Sequence, residues 1–277
     1  MEVKTKMLEE KYLELKRRVD IYYDVQDVRI RTENRLRISV PGEARTEYPG
    51  RLQAIEESLK LEIMQILQEE PIWKEFLSKW RGIGPCLAGG LIARLMVRYA
   101  QRAPTNELEE KWILKTKDKK TLVPERRGIE AFANPSKLFA FCGLDVRNGK
   151  APRRVRGQRE SVTWSPEMRV LSWKIAEQFI KQGRYYRQVY LSARQIYDAR
   201  EDLQKGKGAK GHRYNMAKRK MVKQFLTDLW VAWRKLEGLP TVNPYIVDKY
   251  PEQQHRYISP PPLGDRESVE EFKPDTT

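Results

Sequence analysis

Histidine and cysteine are almost missing from this chain. Its 277 residues hold two cysteines, Cys86 and Cys142, and two histidines, His212 and His255. The cysteines lie far apart and no Cys-x-x-Cys occurs, so no zinc site is expected. They read as small buried apolar groups in a reducing compartment. No apolar run approaches the roughly 20 residues that a membrane-spanning helix needs. The N-terminus opens on a charged helical pattern, which predicts no signal peptide. Alternating apolar and polar runs of useful length are scarce, which excludes an extensive sheet. The expectation is a cytoplasmic, mainly α-helical chain with no metal, no cofactor and no membrane partner.

Positive charge is what the sequence has in excess. Lys+Arg number 54 against Asp+Glu 38, a formal net charge of +16. Such an excess argues for a polyanionic partner, most often nucleic acid. The most informative stretch is Trp80-Arg81-Gly82-Ile83-Gly84-Pro85, entered from an apolar helix end with Trp73, Phe76, Leu77 and Trp80 at helical spacing. Pro85 suits the first turn of a new helix, and Leu87, Leu91 and Leu95 continue its apolar stripe. The pattern predicts a helix-hairpin-helix. Ile83 plugs the core, and the amides of Gly84 and its successors face outward, where such a helix start can take a phosphate.

The rest of the chain reads as four regions: N-terminal helices over 1–78, the hairpin region over 79–160, C-terminal helices over 161–240 and a proline-rich tail over 241–277. A long helix is predicted over about 4–38. Leu8, Tyr12, Leu15, Val19 and Tyr22 form one seam, which Val25 and Val28 extend. That seam suits a helical partner or a second copy of the chain. Asp20, Asp24 and Asp27 read as a solvated face, not a metal site. Pro41-Gly42 and Pro49-Gly50 mark a loop, followed by a helix over about 51–69 with Leu52, Ile55, Leu59, Ile63 and Ile66 inward. Residues 101–128 form a polar insertion of β-hairpin type.

Asn134-Pro135 opens a short helix that Gly143 ends. A cationic loop follows, carrying Arg147, Gly149, Lys150, Arg153, Arg154, Arg156 and Arg159, with only Asp145 and Glu160 opposed. Guanidinium forks suit phosphate oxygens. Ser165-Pro166-Glu167 starts the next helix. The tyrosines of the helix after it, Tyr186, Tyr190 and Tyr197, read as core with Val189, Ala193 and Ile196. A second basic, glycine-rich loop with Lys207, Lys210, His212 and Arg213 runs into the last helix. There Lys218, Arg219, Lys220 and Lys223 lie opposite Val222, Phe225, Leu226, Leu229, Trp233 and Leu236. Gly238 and Pro240 end it, and the tail beyond is expected to be extended or disordered. With Gly82, Ile83 and Gly84, the two basic loops make up the expected nucleic-acid contact set.

Three stretches carry a resemblance. Arg81-Gly82-Ile83-Gly84-Pro85, then Phe132-Ala133-Asn134-Pro135-Ser136-Lys137-Leu138-Phe139-Ala140-Phe141-Cys142-Gly143-Leu144, then Lys210-Gly211-His212 with Ala217-Lys218-Arg219-Lys220, stand in that order. Over residues 79–240 this resembles the C-terminal domain of the IS-one-ten family of insertion-sequence transposases. The resemblance implies a DNA substrate in transposition or recombination and a structured guide RNA as a further partner. It also implies a RuvC-like domain with four metal-binding acids and a serine nucleophile in the loop after the second motif. The N-terminal stretch here is short and helical, and the loop reads Arg147-Asn148-Gly149-Lys150, with no serine. Ser161 is the nearest candidate, but no base is placed beside it to activate it. The expectation is therefore DNA binding without independent catalysis. An active serine-dependent recombinase and an RNA- or junction-binding assembly module are the alternatives.

Overall fold

The computed structural model describes residues 2–39, 44–96, 113–116, 119–122, 128–146, 151, 164–204, 206 and 208–242. Eight α-helices and one two-stranded hairpin account for most of them: α1 Glu2–Ser39, α2 Ala44–Leu67, α3 Pro71–Glu75, α4 Pro85–Met96, β1 Ile113–Thr116, β2 Lys119–Leu122, α5 Pro135–Phe141, α6 Pro166–Lys181, α7 Tyr185–Asp198 and α8 Ala209–Leu236. The protein is mainly α-helical, as its scarce strand pattern predicts. Two compact units divide it, each made of two stretches of chain: residues 1–70 with 88–131, and residues 71–87 with 132–277. The tail from residue 243 onward, expected to be disordered, lies outside the described residues.

In the first unit the middle of the predicted seam of α1 is filled within the chain. Tyr12, Leu15 and Val19 are buried, as are Leu59, Ile63 and Leu67 of α2. The two helices run antiparallel: Lys11 bonds Glu69 and Glu70 at 2.9 Å, Arg18 reaches Glu62 at 2.9 Å, and Arg29 grips Glu56 at 2.5 Å. Beyond Val19 the seam opens, and Val28 is exposed. Helix α2 starts earlier than predicted, so Pro49-Gly50 lies within it. Pro49 is the sixth residue of α2, where its missing N–H gives up one ladder bond; Pro41-Gly42 lies outside the described residues. Ile55, expected inward, is exposed, while its neighbour Glu56 is 5% exposed. The guanidinium of Arg29 makes that burial tolerable by pairing with the carboxylate.

Helix α4 packs against this pair, and Gly89 is the reason it comes so close. A Cβ there would lie 3.0 Å from Ile63 and 3.2 Å from Leu15 and Val19. Arg94 of α4 bonds Asp20 of α1, which Lys16 also holds at 2.7 Å. The insertion contains the expected hairpin: β1 and β2 pair antiparallel, with Ile113 opposite Leu122 and Thr116 opposite Lys119.

The second unit is built on an aromatic core. Phe179 and Tyr186 stand 4.5 Å apart between ring centroids, Trp80 and Tyr186 4.8 Å, and Phe179 and Phe225 5.1 Å. The Tyr186 hydroxyl donates to buried Asp228 at 3.0 Å, and Gln224 donates to the other carboxylate oxygen at 2.9 Å. The Trp230 indole N–H donates to the Phe132 carbonyl at 2.8 Å, tying the start of the second stretch of chain to α8. Met168, Leu171, Ile175 and Phe179 of α6 are buried as their spacing predicts. Ile196 and Leu236, expected inward, are 53% and 42% exposed, since each falls in the last turn of its helix, past the packed core.

Helix ends follow the sequence signals closely. Asn134 accepts from the Lys137 amide at 3.1 Å, and Ser165 from the Met168 amide at 3.2 Å, each ahead of a proline in the first turn. After α5 the Leu144 N–H returns to the Phe139 carbonyl and Gly143 to Ala140, the paired bonds of a glycine-ended helix. Gly143 has φ +65°, and a Cβ there would lie 2.7 Å from the Trp164 ring. Both the dihedral and the indole exclude a side chain.

Candidate nucleic-acid interface

The glycine hairpin adopts the turn its sequence predicts. A 3-10 turn, Leu77–Lys79, leads from α3 to Trp80. Gly82 has φ +90°, and a Cβ would meet the Gln178 backbone at 3.1 Å. Ile83 is fully buried and donates its N–H to the Trp80 carbonyl at 3.2 Å. Its side chain is core, as expected, and offers a ligand nothing directly. Gly84 is half-buried, with open space where a Cβ would stand. Cys86 and Leu87 are buried, so the expectation of several outward-facing amides is reduced to the approach at Gly84.

Of the first basic loop, Arg147, Gly149, Lys150, Arg153, Arg154, Arg156 and Arg159 lie outside the described residues, as does Lys207 of the second. The two ends of the first loop are described. Asp145 follows the Gly143 turn, and Trp164 stacks against that turn, with the Ser165 N–H donating to the Phe141 carbonyl at 2.8 Å. Lys210 and His212 stand exposed in the first turn of α8. Arg213 is engaged internally: its Nε donates to Asp198 at 2.6 Å and its Nη1 to the Leu203 carbonyl at 2.9 Å. It clasps the loop between α7 and α8.

The cations of α8 divide into two kinds. Lys218, 5% exposed, bonds Glu177 of α6 and lies over the rings of Trp173 at 4.8 Å and Tyr214 at 4.9 Å. The Lys218 hydrogen bond holds the Glu177 carboxyl below its ordinary range, against the opposing effect of burial. Arg219 and Lys223 differ. Burial lowers the pKa of Arg219, and the charge of Arg169 on α6 lowers it further. Burial likewise lowers Lys223, with Arg219 adding to the effect. Asp145 is the carboxylate that opposes both shifts. Lys223 lies 5.4 Å from the Phe139 ring centroid and Arg169 5.5 Å from that of Trp164. Nothing in the sequence singles out Arg169. The i, i+4 spacing of Arg219 and Lys223 was visible in it, but the approach of α6 was not.

Among the described residues, no group of three or more His, Cys, Asp or Glu side chains is placed to hold a metal ion. Asp20 is taken up by Lys16 and Arg94, and Asp27 by Arg31 at 2.6 Å. Among the described residues no helix is long and apolar enough to cross a membrane. Fold and surface thus define a mainly α-helical protein of two units, with cations gathered where α6 and α8 meet. No family model, curated protein or solved structure matches the chain.

Proposed function

We propose that this chain is a transposase-related DNA-binding protein that acts in transposition or recombination without strand-cleaving chemistry of its own. The observation that carries the reading is where the charge lies. The second unit holds 31 Lys+Arg against 17 Asp+Glu, a net +14, while the first holds 23 against 21. A net +14 in one unit suits the sugar-phosphate backbone, whose neutralisation supplies sequence-independent affinity. The resemblance of residues 79–240 to the IS-one-ten transposases is what names transposition as the setting. The two basic loops, the exposed Lys210 and His212, and the open approach at Gly84 supply the contacts in this reading.

The test is a filter-binding series with a plain DNA duplex, a four-way junction and a structured RNA at rising salt. Affinity for the duplex should fall steeply and linearly with the logarithm of salt concentration. A flat response rejects the reading. A clear preference for the RNA or the junction over the duplex replaces it with an assembly module for those ligands.

A further inference from the structure

Positive charge gathers on α8 at Arg219 and Lys223, and Arg169 of α6 lies near enough for its charge to act on Arg219. Arg219 and Lys223 are four residues apart on α8, so their side chains are neighbours on one helix face, where like charges repel. Arg169 approaches from α6 and adds a third cation, and Asp145 is the acid whose charge acts on both α8 residues. The Arg219 Nε is buried and has no hydrogen-bond partner among the described residues. A buried guanidinium donor without an acceptor costs stability, and so do two adjacent cations removed from water. Two of the cations lie over rings: Lys223 over Phe139 and Arg169 over Trp164. Such a cluster serves a fold poorly and an anion well.

We infer that Arg219, Lys223 and Arg169 form a binding site for a phosphate group, with Asp145 limiting the repulsion among them until the phosphate arrives. This deepens the proposed function, on which it rests for the source of the phosphate: the backbone of a DNA strand. A phosphate there would give the Arg219 Nε its missing acceptor and would compensate the charge on Lys223. A guanidinium offers a fork of donors to phosphate oxygens, and the ammonium a compact charge beside it. The site also sits where the first basic loop begins and ends, since Asp145 and Trp164 flank that loop in the chain.

The prediction runs against a purely structural role. Replacing the two α8 cations by an apolar side chain of similar length, as Arg219→Met and Lys223→Met, should leave the melting temperature unchanged or raise it. In the unaltered chain, inorganic phosphate should raise the melting temperature above that in chloride of equal ionic strength. The double variant should lose that rise. Binding of a fluorescent DNA duplex, followed by anisotropy, should show a log–log salt slope shallower by about one for each cation removed. A phosphate-induced rise that is absent in the unaltered chain, or equal in the double variant, overturns the site. A phosphate effect lost in the double variant with an unchanged DNA slope keeps the site and assigns it to a free phosphate. If the unaltered chain binds no duplex at all, the DNA reading fails, and the phosphate measurement alone decides the site.

Discussion

The two units use charge in opposite ways. In the first, cations and acids are nearly equal, and the described ones mostly serve the fold. Arg18 and Arg29 each bridge α1 to α2, Lys11 ties α1 to the turn that follows α2, and Arg94 bridges α4 to α1. Glu56 and Arg29 show the logic in one pair: the carboxylate hydrogen bonds hold the Arg29 guanidinium above its already high ordinary value. The second unit packs chiefly through rings, with ion pairs such as Lys218–Glu177 and Arg213–Asp198 beside them, and keeps cations in surplus. Lys218 has a carboxylate on α6, while Arg219 and Lys223 repel each other, with Asp145 the carboxylate whose charge acts on both. Charge that a fold consumes is a poor guide to function. Charge that it holds at a cost is a better one.

The largest effect expected tests whether the units are separate cores. Phe225 is fully buried among Phe76, Phe179 and Tyr186. Phe225→Ala should cost about 3–5 kcal/mol. Amide exchange should quicken in residues 71–87 and 132–242 while α1 and α2 keep their protection. Equal loss in both would merge the units into one cooperative core. In the first unit the corresponding weak point is Gly89. Gly89→Ala places a methyl against Ile63, Leu15 and Val19, an overpacking worth about 1–3 kcal/mol. The control is Gly84→Ala, which enters open space at a residue without positive φ and should lie within about 0.5 kcal/mol of the unaltered chain in a denaturant titration.

Much of this was legible in the sequence, and the boundary of legibility is physical. Caps at Asn134 and Ser165 and the turn at Gly143 depend on a few adjacent residues, so local pattern suffices. The stripe Leu87, Leu91, Leu95 is likewise local. The span of α2 was not legible because proline and glycine signal a break only when nothing else holds the helix, and α1 lies alongside it. The exposure of Ile55 and burial of Glu56 depend on Arg29, 27 residues earlier. For the interface, the sequence points to basic loops by density of charge. It does not reveal that Arg213 is spent on Asp198, or that Arg169 comes beside Arg219. Both follow from helices meeting in space.

The contrast between Lys218 and its neighbours can be sharpened by pH. Glu177 titrates below its ordinary value in the folded chain, so the unfolded chain binds its proton more tightly. Its contribution is present above about pH 4.5, the unfolded range, and is lost as pH falls through the lower folded value. Glu177→Gln should leave Lys218 with rings alone. Because the carboxylate is 41% exposed, the cost is discounted for solvent to about 1–2 kcal/mol. The variant's stability should then vary less between pH 6 and pH 3 than that of the unaltered chain, in thermal melts. An unchanged pH profile would remove Glu177 as the group responsible.

The smallest effect bears most directly on the comparison of the units. Lys210 is exposed in the first turn of α8, whereas Arg51 is exposed in the first unit and paired with Glu47 at 2.8 Å. Reversing either charge alters the net charge of the chain equally, from +16 to +14. If net charge alone drew DNA to the protein, Lys210→Glu and Arg51→Glu would weaken binding alike. If the surplus of the second unit does so, Lys210→Glu should weaken a plain duplex about threefold or more at low salt and flatten the salt slope by about one. Arg51→Glu should change neither beyond the long-range effect of charge, which is screened past about 10 Å at 0.1 M salt. Anisotropy titrations of both variants at two salt concentrations separate the outcomes, and equal losses would dissolve the distinction between the units as far as binding is concerned.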